Sequence, residues 1–132
     1  MNLQSGLPVS IARPAVQVAG SSARLSNPTT SRWFDTSVFS PAAAFTFGNV
    51  GPYLRDVQTQ PIHNVDAVLS KDFVIVPTEH KVTGTLRAEA YNLTNTVQLG
   101  FPNNNVTSAS FGTVTSTLNS PRDMQFAFKL RF

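Results

Sequence analysis

Two histidines and two carboxylates, His63, Asp66, Glu79 and His80, are of the residue types that hold divalent metals. Their spacing does not support such a site, because no ligand set repeats along one face of an extended chain. Arg87 and Glu89 are the other charged pair that could do chemistry. They stand two apart, on one face of a strand, within reach of each other and of Lys129 or Arg131 on a neighbouring strand. Cross-strand charge pairing explains them more simply than catalysis does. The sequence carries no Gly-x-Ser-x-Gly elbow, phosphate-binding glycine loop or zinc-protease helix. It also has no cysteine, which excludes a disulfide scaffold and a thiolate metal site. The expectation is a protein that is not an enzyme and uses no cofactor.

The elements that would position these residues are strands. The last nine residues, Met124 to Phe132, alternate apolar and polar without a break. Counting by twos puts Met124, Phe126, Phe128, Leu130 and Phe132 on one face and Gln125, Ala127, Lys129 and Arg131 on the other. A soluble sheet makes this pattern with its apolar face on a core. A transmembrane barrel makes it with that face toward lipid and the charges toward a wet lumen.

At 132 residues the chain is long enough for one domain with a core. The formal charge of +3 arises from few charges, 13% of residues, and the lysines and arginines are scattered. A nucleic-acid surface needs clustered cations to displace counterions, so no nucleic-acid partner is expected. No run of about 18 apolar residues encodes a transmembrane helix, and a barrel would need none. The N-terminal stretch lacks the charged start and apolar run of a secretory signal, and Pro8 interrupts it.

Four stretches read as strands, giving an all-β, antiparallel meander. They lie near residues 3–11, 63–75, 80–91 and 122–132, with long loops at 12–62 and 92–121. The first is weakened by Gly6 and Pro8. In the second, Val65, Ala67, Leu69, Phe73 and Ile75 share a face, and Lys71 falls among them, where a membrane interface would let its stem snorkel. Val76 to Glu79 reads as a short turn broken by Pro77. The third puts Val82, Gly84, Leu86, Ala88 and Ala90 on one face, with Arg87 and Glu89 on the other. Helix propensity in Leu86 to Tyr91 is outweighed by the strict period of two. Within the second loop, Phe111 to Thr117 reads as a short strand extension.

Backward from Phe132 the connections run long, short, long. Outer-membrane barrels follow that order when the C-terminus is periplasmic. About 11 residues at ~3.3 Å each, tilted near 45°, cover roughly 25 Å of hydrocarbon.

The ordered segments SRWFDTSVFS, FTFGNVG, HNVDAVLSKDF, LRAEAYNLTN and FGTVTST leading into RDMQFAFKLRF resemble the C-terminal end of the Oar-like TonB-dependent receptors of the bacterial outer membrane. The resemblance covers nearly the whole chain, including GLPVSI at its start. It implies the closing strands of a large barrel of about 22 strands with a plug in its lumen, which imports a bulky nutrient through TonB. The plug, the TonB box and most strands have no counterpart here, so the chain would be structural within a parent transporter and no transporter alone.

The implied partners are outer-membrane lipid, the barrel-assembly machinery, the remainder of the receptor barrel and plug, and TonB only through the parent. Met124, Phe126, Phe128, Leu130 and Phe132 would form the assembly signal on the lipid face, and Arg87, Glu89, Lys129 and Arg131 the lumen face. Trp33, Phe34 and Phe39 would pin the first long loop against the barrel rim. A soluble extracellular β-sandwich binding module using the Trp33 loop is the rival reading, and a truncated gene product without independent function is another.

Overall fold

The structure, a computed structural model, describes residues 1–12, 14–76 and 82–132. The fold is all-β, with three long strands and four of three residues each among the described residues. The chain divides into two compact units. Met1–Leu3, His63–Val97 and Asn119–Phe132 make the first, and Gln4–Ile62 with Gln98–Leu118 the second.

The first unit is built on a three-stranded antiparallel sheet of β5 (Ala67–Val76), β6 (Val82–Tyr91) and β7 (Asp123–Arg131), paired in chain order. Period-two patterning makes these strands, and the register preserves it across all three. Ala67, Ala90 and Met124 form one row and Phe73, Gly84 and Leu130 another, all on one face. The connection between β5 and β6, including the turn expected at Pro77 to Glu79, lies outside the described residues. Near its end β5 carries a bulge between Val74 and Val76. The extra residue keeps Ile75 beside Phe73 above Gly84.

Two departures from the sequence pattern concern the first strand and the second, which is expected to run unbroken over 63–75 and is interrupted at Val65 and Asp66, its two parts pairing in different sheets. In place of a strand near 3–11, only β1 (Asn2–Gln4) is extended in a ladder, paired with β4 (Ile62–Asn64). Beyond Gln4, a Cβ on Gly6 would collide with the Thr59 carbonyl, and Pro8 supplies no ladder donor. The chain there makes irregular bonds instead, with Thr59 N donating to Leu7 O at 2.8 Å and Leu54 N to Val9 O at 2.7 Å. Lys71 stands opposite Leu86, in the middle of β5 rather than at its end.

The second unit corrects the expectation that 12–62 is a long loop. β2 (Ala15–Gln17) pairs antiparallel with β3 (Phe39–Pro41), and a 3-10 turn at Thr36–Val38 precedes β3. Around them Val9, Ile11, Ala15, Ala23, Trp33, Phe34, Phe39, Val50, Leu54, Val57 and Val114 form a buried hydrophobic cluster. Val114 comes from the other long connection, so the two stretches fold together. The strand extension expected at Phe111 to Thr117 is absent as a strand. Gly112 adopts φ +79 in a turn, and only an isolated bridge links Thr117 to Leu99.

Candidate functional site

The three long strands gather Arg87, Glu89, Lys129 and Arg131 on one face, with Val68 and Val74 of β5 among them, and most of the large apolar residues on the other, where Lys71 is the one charged residue among those described. On the apolar face Leu69, Leu86, Met124, Phe126, Phe128 and Leu130 are all exposed, with Phe126 at 71%. A soluble sheet covers such a face with core, because each large side chain left in water forgoes about 1.5–3 kcal/mol. β5 and β7 are exposed almost throughout, and the buried residues of the chain lie mostly in the second unit. Phe132, beyond β7, is 99% exposed.

On the polar face Arg87 pairs with Glu89, and Glu89 accepts from Gln125, which the register sets opposite it. Tyr91 Oη donates to the same carboxylate at 3.3 Å. Lys129 and Arg131 stand opposite Thr85 and Thr83, farther along the strands than Glu89. Thr85 links that row to β5 by donating its hydroxyl to Asp72 at 2.6 Å. The face is therefore a lattice of hydroxyls, amides and paired charges, suited to contact with water.

Trp33, Phe34 and Phe39 are buried in the core of the second unit. Phe34, Phe39 and Phe111 meet edge to face with centroids 5.2–5.9 Å apart, a geometry worth about 0.5–1.5 kcal/mol per pair beyond burial. Trp33 Nε1 donates to Gln58 O at 2.9 Å, and Trp33 N to Gly112 O at 2.8 Å. Asp35 caps the 3-10 turn through Ser37 and pairs with Arg32 at 2.6 Å. The Ser37 hydroxyl and amide, then Arg32, hold its carboxyl below the ordinary value. Asp56 is lowered chiefly by the Ser22 hydroxyl.

Sequence reasoning passed over the residues that close the sheet end. Asn92, 6% exposed with φ 50, accepts from Thr96 N and donates to Thr96 O and Ser120 O. Its own N–H goes to Asp66 at 2.9 Å, and Asn95 accepts from Arg122 N at 3.1 Å. Asn followed three residues later by Asn after a strand was the available signal, since asparagine tolerates left-handed backbone and bonds locally. His80 and Glu79 lie outside the described residues, and no group of three ligating side chains that could hold a metal occurs among the described ones.

The chain matches the family described as "Outer membrane beta barrel domain" over residues 1–125. No curated protein and no solved structure matches it. No helix among the described residues is long and apolar enough to cross a membrane, which says nothing about crossing by strands.

Proposed function

Because the chain belongs to the outer membrane beta barrel domain family, and so to the bacterial outer membrane, we propose that it forms the C-terminal wall of a TonB-dependent, Oar-like receptor barrel. Its role there is structural, with no catalysis and no transport by the segment alone. One observation carries the reading: the sheet of β5, β6 and β7 exposes a broad apolar face, interrupted at Lys71, while its other face carries the Arg87–Glu89 pair, Lys129 and Arg131. In a barrel the first face meets lipid and the second a wet lumen. The connection order agrees, with five residues between β5 and β6 and a long stretch between β6 and β7.

β7 is also an edge of its sheet among the described residues, and an edge strand with aligned aromatics suits capture by strand addition. The assembly machinery would read Met124, Phe126, Phe128, Leu130 and Phe132, after which the strand pairs with the rest of the barrel. Replacing Phe132 with Asp in the full-length parent tests this. Surface levels should fall sharply while synthesis is unchanged, and normal surface levels would argue against the assembly role. Reading the genomic frame upstream of Met1 for a plug and a TonB box tests the transporter assignment separately.

A further inference from the structure

Within the second unit two cavities of about 320 and 310 Å³ share Arg55 and Asp56 in their walls. Trp33 and Gln58 line the first, with Arg24. Tyr53 and Gln17 line the second. Each cavity thus has an amide, the Arg55 guanidinium and one aromatic residue in its wall, too polar to favour a greasy ligand, and the first, hereafter the groove, adds the Arg24 guanidinium. Its charges are unbalanced. Arg24 and Arg55 are in no ion pair among the described residues, whereas the other arginine of this unit described, Arg32, is bound to Asp35.

Asp56 is the acid of the groove, and it is already committed. Its Oδ2 accepts from Ser22 Oγ at 2.6 Å and from Ala23 N at 3.0 Å, which fixes the turn that carries Arg24. Two uncommitted guanidiniums beside one satisfied carboxylate leave a site that attracts an anion, and guanidinium matches carboxylate in a two-pronged hydrogen bond.

From this arrangement we propose that the first cavity binds an acidic saccharide: a sugar ring beside Trp33, its hydroxyls on Gln58, and its carboxylate on Arg55 and Arg24. The assignment rests on the second unit alone and stands or falls independently of the transporter reading. A Phe132 variant that assembles normally would leave it intact.

Trp33 is the chain's one tryptophan, so its emission reports the groove directly. The full chain in detergent micelles is titrated with digalacturonate and, in parallel, with the neutral disaccharide cellobiose. Digalacturonate should change Trp33 emission saturably and bind at least about tenfold more tightly than cellobiose, the scale of one charge-assisted hydrogen bond. Arg55→Gln and Arg24→Gln, both at exposed residues, should each weaken it by about tenfold with the free-protein emission unchanged. Equilibrium dialysis covers the case of binding without a change in emission. Absence of saturable binding by both methods, equal affinity for cellobiose, or full affinity in both arginine variants would overturn the proposal. Tighter binding of a cationic glucosamine disaccharide would overturn it as well, and make Asp56 the determinant.

Discussion

Phe73, seated over Gly84, stacks diagonally across β6 on Phe128, which stands opposite Leu86, their rings 6.1 Å apart at 21°, although their strands are not hydrogen-bonded to one another. Glycine on the intervening β6 makes this possible. A Cβ at position 84 would lie 2.8 Å from Phe73 Cε2 and Cζ, inside any tolerable contact. An isolated glycine in a strand weakens it by entropy, and here a neighbouring aromatic covers the gap.

Gly84→Val should therefore destabilise the sheet by about 1–3 kcal/mol, in spite of valine's preference for strands, because it drives Phe73 off its seat. In a Phe73→Ala background the same substitution should cost far less. Thermal unfolding in micelles, followed by circular dichroism, measures both. Equal costs in the two backgrounds would show that the glycine serves some purpose other than seating Phe73.

Lys71 presents the opposite case, a cation in the middle of the apolar face, opposite Leu86. A lysine on the lipid side of a barrel costs about 2–4 kcal/mol at mid-depth and little near the interface. With that face in lipid, Lys71→Leu should raise stability in bilayers, by an amount that grows with its depth. A loss of stability in Lys71→Leu would mean that this face meets water or a polar partner.

Asp35 and Asp56 set an acid limit on the second unit. Both carboxyls are held below their ordinary value of 3.8, by Ser37 and by Ser22 respectively. A depressed folded pKa contributes stability that is fully present above the unfolded value and lost as pH falls through the folded one. Trp33 emission should thus be flat from neutral pH to about 5 and report loosening only below 3.8. Asp56→Asn should flatten the part of that loss due to Asp56. A transition near pH 6 would point to a different group.

The long strands were legible because the period of two is strict and their faces differ in kind, from Met124 to Leu130 above all. What the sequence concealed has a common cause: short-range patterning does not show where a polar, proline-rich stretch finds its core. Residues 12–62 look like a loop because their apolar residues, Ala15, Ala23, Phe34, Phe39, Val50 and Leu54, follow no period. They are buried by irregular backbone that bonds across large separations, as Asp35 N does to Ala23 O. Val9 and Ile11 suggested a continuing strand and instead belong to that core. The charged row was half legible. Arg87 and Glu89 do pair, while Lys129 and Arg131 face threonines, since strand register cannot be fixed from one strand's pattern alone.

Asn92 is the residue whose loss should reveal most about how the sheet end is closed. It combines a left-handed backbone with three side-chain bonds, and it is nearly inaccessible. Asn92→Ala removes the bonds, takes away the partner that Thr96 N and Ser120 O have in it while Thr96 O keeps its bond from Asn119 Nδ2, and places a Cβ residue without local support at φ 50, so a cost of about 1–3 kcal/mol is expected. Asn92→Gly keeps the backbone and loses only the bonds. It should recover about 0.5–1 kcal/mol relative to alanine and no more. Hydrogen exchange at the amides of Thr96 and Arg122 separates the two contributions, because both variants should expose Thr96 N–H while the bond from Arg122 N–H to Asn95 persists only if the turn keeps its shape. Full recovery by glycine would mean that backbone conformation alone selects asparagine here, and that the bonds to Thr96 and Ser120 contribute nothing net.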